Sequence, residues 1–158
     1  MGNPQTIRYN KEKNVVQTID QRYLPFQNLI VEIGSLDEAR FAITNMIVRG
    51  APLIGVTAAY GMYLAALNFS GADFAAEIKL AANWLKSSRP TAVNLAFAVD
   101  EAVAVISDQN SVSENTQLLF NYAEGLKQRE INFSKSIGYH GLEIIKSISE
   151  NKNSEPVH

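Results

Sequence analysis

From Gly50 to Ala72 the chain carries no charged residue, and no other run constrains the fold as strongly. A bilayer is crossed by about 20 apolar residues, so this run is long enough to test as a membrane span. It also holds Pro52, Thr57, Tyr60, Tyr63, Asn68, Ser70 and glycines at 50, 55, 61 and 71. Asn68-Phe69-Ser70-Gly71 reads as a turn, which cuts the helical part to about residues 52–67, too short to span. A helix that is apolar on every side belongs at the centre of a core, with the other elements wrapped around it. Its small residues Gly55, Ala58, Ala59 and Gly61 let neighbouring backbones come close.

Residues 6–33 read as β-rich. Ile7-Arg8-Tyr9 and Val15-Val16-Gln17-Thr18-Ile19 flank a polar turn, Asn10-Lys11-Glu12-Lys13-Asn14. Tyr23-Leu24 and Leu29-Ile30-Val31-Glu32-Ile33 follow, with Pro25 as a break, giving an antiparallel sheet of about three strands. From Ser35 the period becomes helical. Ser35 and Glu38 form a capping box, Leu36, Ala39, Ile43, Met46 and Ile47 make one apolar face, and Gly50 is expected to end that helix at C′. Further helices are expected over about 72–86, with Phe74, Ile78, Ala82 and Leu85 as its stripe, and over 90–107. After a loop at 107–111, a second capping box (Ser111, Glu114) opens a long helical region to about 138, with a last helix over 141–148. The expected fold class is α+β and mostly helical: a small antiparallel sheet over 1–34, a helical bundle over 35–148, and a polar linker over 149–158.

Several function classes fall away on composition. Hydrophobic residues make up 46% and charged residues 19% of 158, a globular balance. The net charge of −2 and the lack of a basic stripe argue against nucleic acid. With no cysteine and two histidines, His140 and His158, the chain has no thiolate or His-rich metal site and no disulfide. The polar start, Met1-Gly2-Asn3-Pro4-Gln5, has no apolar h-region, so a signal peptide is not expected. No P-loop, G-x-G-x-x-G, EF-hand or G-x-S-x-G pattern occurs.

What stands out chemically is a pairing used twice. Arg49-Gly50-Ala51-Pro52 precedes one apolar helix and Ser88-Arg89-Pro90-Thr91 another. Proline suits the first helical position. A helix N-terminus offers free N–H groups and the positive end of the dipole, and Gly50 and Ala51 leave those groups unobstructed. An arginine there opposes the dipole, so the placement invites an anion, which two such ends could hold as a phosphate or carboxylate. The plainer alternative is that each arginine snorkels to solvent or pairs with a surface carboxylate. Asn94 is expected to bond within the bundle, Asp100 and Glu101 to face solvent, and Asp20-Gln21-Arg22 to form a charged turn in which Asp20 pairs with a nearby arginine. His140, Trp84 and the tyrosines at 60, 63, 122 and 139 read as structural. The residues thus supply anion-holding groups without a general base or nucleophile.

Val48-Arg49-Gly50-Ala51-Pro52-Leu53-Ile54-Gly55-Val56-Thr57-Ala58-Ala59-Tyr60-Gly61 and Ser88-Arg89-Pro90-Thr91-Ala92-Val93-Asn94-Leu95 resemble the methylthioribose-1-phosphate isomerase family of methionine salvage. Ile19-Asp20-Gln21-Arg22-Tyr23-Leu24-Pro25 is similar to its early strand motif, and Ile137-Gly138-Tyr139-His140-Gly141 to its last helix before a second domain. The wider superfamily includes regulatory subunits of a translation-initiation exchange factor and ribose-1,5-bisphosphate isomerase. The resemblance implies that Arg49, Gly50, Ala51 and Arg89 bind the substrate, a sugar phosphate. It implies an aldose-to-ketose conversion without metal or nicotinamide cofactor, a cytoplasmic enzyme and a homo-oligomer in the intact protein.

In that family a cysteine and an aspartate from a following Rossmann-like domain do the chemistry. That domain is not matched in this chain, so no residue here inherits a catalytic role. The chain is therefore expected to be the N-terminal, substrate-binding part of such an isomerase, inactive alone and completed by a C-terminal domain or complementary chain. The alternative is a non-catalytic regulatory module that senses a sugar phosphate or nucleotide. A third reading is a helical scaffold whose exposed apolar face meets a partner.

Overall fold

The computed structural model describes residues 5–152. The polar start at 1–4 and most of the expected linker, 153–158, lie outside the described residues. Three strands, β1 (Ile7–Asn10), β2 (Val15–Ile19) and β3 (Ile30–Ile33), precede five helices: α1 (Leu36–Thr44), α2 (Ala51–Leu67), α3 (Phe74–Lys86), α4 (Val93–Ala104) and α5 (Val112–Asn151). The chain divides into two compact units, residues 1–124 and 125–158.

In the first unit the sheet runs β1-β2-β3, antiparallel throughout, with Ile7 opposite Thr18 and Val16 opposite Ile33. Alternation sets its faces. Ile7, Val16, Thr18 and Ile33 are buried, while Arg8, Gln17 and Glu32 form a polar ladder on the other side, closed by Lys13 on Glu32 at 2.7 Å. The first turn forms as its composition predicts. Asn10 Oδ1 accepts from the N–H groups of Glu12 and Lys13, and Asn14 takes the left-handed conformation at φ 54°. Tyr23-Leu24 lies in turns and is no strand, and β3 begins at Ile30.

The uncharged run is the central helix α2. Residues 54–64 are buried without interruption, as an all-round apolar helix requires. A Cβ on Gly61 would stand 3.0 Å from Ala39 Cβ on α1 and 3.2 Å from Leu85 Cδ1 on α3, and one on Gly55 3.2 Å from the Asn94 carbonyl on α4. The small residues therefore mark where three helices press on the fourth. The sheet is fastened to this core by aromatic edges: Tyr9, Tyr63 and Phe120 have centroids 5.1–5.4 Å apart, and the Tyr63 hydroxyl donates to that of Tyr9. One turn earlier on the same side of α2, Tyr60 donates to the Glu124 carboxylate. Burial first, and that bond second, hold the Tyr60 hydroxyl well above its ordinary range.

Helix boundaries and caps differ from expectation in several places. Helix α1 stops at Thr44, six residues before Gly50. Met46 takes φ 57°, its N–H donates to Ile43 O and that of Ile47 to Ala42 O. This is a Schellman closure with methionine where glycine is usual, and it leaves Met46 exposed rather than on the apolar face. In the capping box of α1, Ser35 accepts from Glu38, but the Glu38 carboxylate reaches back to the Gly34 N–H instead of Ser35. Helix α3 starts at Phe74 under an Asp73 cap. Helix α4 is shorter than 90–107 at both ends. At its far end the buried Asn115 side chain holds both the N–H and the carbonyl of Ser107, fixing the 107–111 loop.

Helix α5 runs through residues 138 and 141 without a break. A Cβ at Gly125, Gly138 or Gly141 would meet nothing within 4 Å, so these glycines neither terminate the helix nor admit a neighbour. In the second unit Phe133, Ile137, Tyr139, Leu142, Ile144 and Ile145 are exposed. Tyr139, expected to be structural, is 68% exposed and edge-on to His140, itself exposed. Trp84 is also on the surface, its ring 3.9 Å beneath the Arg40 guanidinium and its N–H on Asp37. Among the described residues no helix is long and apolar enough to cross a membrane, and no group of three His, Cys, Asp or Glu side chains could hold a metal.

Candidate functional site

The two arginine motifs do not start their helices in the same way. Gly50 is the N-cap of α2, not the C′ residue of α1. It sits at φ 84°, with Ala51 and Pro52 as the first two helical residues. Arg89-Pro90-Thr91-Ala92 is instead a turn closed by the Ala92 N–H on Arg89 O at 2.9 Å, and α4 begins only at Val93. The proline ring favours the second position of such a turn, so Pro90 bends the chain before the helix instead of opening it.

What the motifs share is the absence of a side-chain cap. Ser35, Asp73 and Ser111 close α1, α3 and α5 through their oxygens. Among the described residues α2 and α4 have no such cap, which leaves first-turn N–H groups at each free for an acceptor. The close approach of Gly55 in the second turn of α2 to Asn94 in the first turn of α4 brings these two uncapped ends to the same side of the bundle. Asn94 makes this contact through its carbonyl and Cβ, as part of the packing.

Arg49 is exposed, with its Nε on Met46 O at 3.3 Å. Arg89 is half-buried and makes no side-chain hydrogen bond or ion pair among the described residues. Asp20 pairs with Arg22, as its turn suggests. The carboxylate, 2% exposed, accepts from Arg22 Nε at 2.9 Å, Nη2 at 2.7 Å and N–H at 3.1 Å. The Gln21 N–H donates to Ile47 O at 2.9 Å, which lays this turn against the segment carrying Arg49. The Arg22 hydrogen bonds hold the Asp20 carboxyl below its usual range against the opposing effect of burial, and the charges of Arg22 and Arg49 add to that. Sequence spacing gives no hint that residues 20–22 and 47–51 meet.

Asp100 faces solvent as expected, where it pairs with Lys86. Glu101, expected in solvent too, is half-buried and accepts from the Tyr122 hydroxyl at 3.3 Å. The grooves at Leu36, Leu64 and Trp84 and at Tyr9, Lys11 and Phe120 involve the opposite end of α2. The uncapped starts of α2 and α4, each preceded by an arginine, present groups of the kind that bind anions, and among the described residues no acid–base pair is positioned there.

Comparisons with known proteins converge. Residues 47–152 match the model of the Initiation factor 2 subunit family. The methylthioribose-1-phosphate isomerase of Desulfosudis oleivorans is 37% identical over 147 residues, 92% of this chain and 40% of the relative. That of Acetivibrio thermocellus is 43% identical over 137 residues, 84% and 40%. The chain thus spans about 40% of the length of these curated relatives. Two solved structures share the fold: 5-methylthioribose 1-phosphate isomerase from Pyrococcus horikoshii (TM-score 0.71, 32% identity, 80% of this chain and 36% of that one), and translation initiation factor eIF-2B, subunit delta, from A. fulgidus (0.74, 32%, 82% and 38%).

Proposed function

We infer that this chain, which belongs to the Initiation factor 2 subunit family, is the sugar-phosphate-holding part of a methylthioribose-1-phosphate isomerase. Its curated relatives carry that name, and the reaction is an aldose-to-ketose conversion in methionine salvage. Arg49, Gly50 and Ala51 at the start of α2, with Arg89 before α4, hold the phosphate. The observation that carries this reading is that the two helices preceded by these arginines are the two without a side-chain cap, and that they meet at Gly55 and Asn94. Uncapped N–H groups and a guanidinium at each end suit a phosphate dianion.

The chemistry itself comes from a second domain, on the same polypeptide or on a complementary chain. The sheet and bundle form one wall of the site. A cytoplasmic, homo-oligomeric enzyme goes with that role. The substrate's anomeric carbon is blocked by phosphate, so ring opening needs an acid in a shielded site, and the chain alone is inactive.

The test is complementation. Co-expression of this chain with the remaining length of the Acetivibrio thermocellus relative is expected to restore isomerisation that neither piece shows alone. In the restored enzyme Arg49→Ala and Arg89→Ala should each cost about 2–5 kcal/mol in kcat/KM. Restored activity indifferent to both substitutions would refute the site. The likeness to the eIF-2B delta subunit favours one other reading, a sugar-phosphate- or nucleotide-sensing regulatory module. It would bind the ligand and stay inactive in every such pairing.

A further inference from the structure

The Asp20–Arg22 pair is more elaborate than a surface turn requires. A carboxylate 2% exposed is gripped by both ends of one guanidinium and by a backbone N–H. Its own N–H is tied to Leu29 O, and the next residue's to Ile47 O. Arg22 keeps 38% of its side chain in solvent, so it is held without being enclosed. The turn lies against the segment that ends in Arg49, whose charge also reaches Asp20. The turn and the segment it is bonded to together carry two arginines, Arg22 and Arg49, and one carboxylate, Asp20. Bidentate pairing fixes the plane of Arg22 while its other donors stay available.

We propose that Asp20 is a positioning residue that fixes Arg22 beside Arg49, making Arg22 a third cationic contact for the bound phosphate. The proposal rests on the sugar-phosphate reading of Arg49–Ala51 and adds a residue to it. A purely structural pair would explain the burial of Asp20 equally well, but it would leave Arg22 indifferent to ligand.

The experiment is a titration of the 158-residue chain with 5-methylthioribose 1-phosphate, and with inorganic phosphate as the minimal anion, followed by NMR at the Gly50 amide and at the arginine Nε–H groups. Arg22 Nε–H and the Gly50 amide are expected to shift with one common midpoint. Arg22→Gln should weaken binding about tenfold, as should Arg49→Gln. Arg22→Lys, which keeps the charge and loses the fork, should rescue it only in part. A Gly50 shift and a damaging Arg49→Gln, with Arg22 Nε–H unmoved, would overturn the role of Asp20 and Arg22 and leave the site standing. An unresponsive Gly50 amide, or an Arg49→Gln chain that binds like the parent, would overturn the site and this inference with it. The wild-type Nε–H signal decides even if Arg22→Gln fails to fold.

Discussion

Two residues four apart, Met46 and Gly50, both hold positive φ, and they respond oppositely to substitution. Met46 closes α1 in a conformation that costs an L-residue about 1–2 kcal/mol, and its side chain is exposed. Met46→Gly is therefore expected to raise stability by about 1 kcal/mol. Gly50 has open space where a Cβ would go, but its φ of 84° with ψ of 136° lies outside the left-handed helical well, so Gly50→Ala should cost about 1–3 kcal/mol through backbone strain alone. Denaturant midpoints of the two variants, moving in opposite directions, check both. Asp20 adds a pH dependence. Its folded pKa lies below the ordinary 3.8, chiefly through the Arg22 hydrogen bonds. Its contribution is full above about pH 4 and fades as pH falls through the folded value. Asp20→Asn should thus lower the melting temperature at pH 7, yet lose less than the parent between pH 5 and pH 3. These residues also mark where the sequence became illegible. Methionine carries no left-handed signal, so spacing alone predicts α1 through to Gly50. Nothing in local spacing announces that residue 21 bonds to residue 47.

Among the elements, α2 was the most legible, because a run without charge has one soluble solution. Its start at Ala51 and end at Leu67 follow from Pro52 and from the Asn68-Phe69-Ser70-Gly71 turn. Strands and capped helices were also readable, since alternation and cap chemistry are local. Pro90 predicts a helix start and makes a turn instead, because the same fixed φ serves a first helical turn and a β-turn, and only the Ala92 N–H on Arg89 O separates them. The packing of α2 gives a direct test. At Gly61 even one methyl crowds Ala39 and Leu85. Gly61→Val should destabilise by about 1–3 kcal/mol, read as a lower thermal midpoint, with α1 and α3 the elements that give way. The candidate site was legible in its residues and not in its geometry. Arg49, Gly50, Ala51 and Arg89 could be named from motif. That their helices lack caps, and meet at Gly55 and Asn94, needed the fold.

At the scale of the whole molecule the two units differ in how their apolar residues are used. In residues 1–124 they line a core around α2, whereas in residues 125–151 of α5 many face water. Clustered exposed apolar side chains are, as a general rule, the mark of a contact surface. The three glycines of this helix, at 125, 138 and 141, have open space where a Cβ would go, and each costs the helix about 1 kcal/mol relative to alanine. A segment so composed is expected to open ahead of α2. Its amides should exchange with deuterium long before those of α2, and brief trypsin treatment should nick first at Lys135 or Lys146. Replacing Gly138 and Gly141 by alanine should slow both processes several-fold without changing exchange in α2. The glycines are thereby expected to make this stretch a point of proteolytic attack ahead of α2.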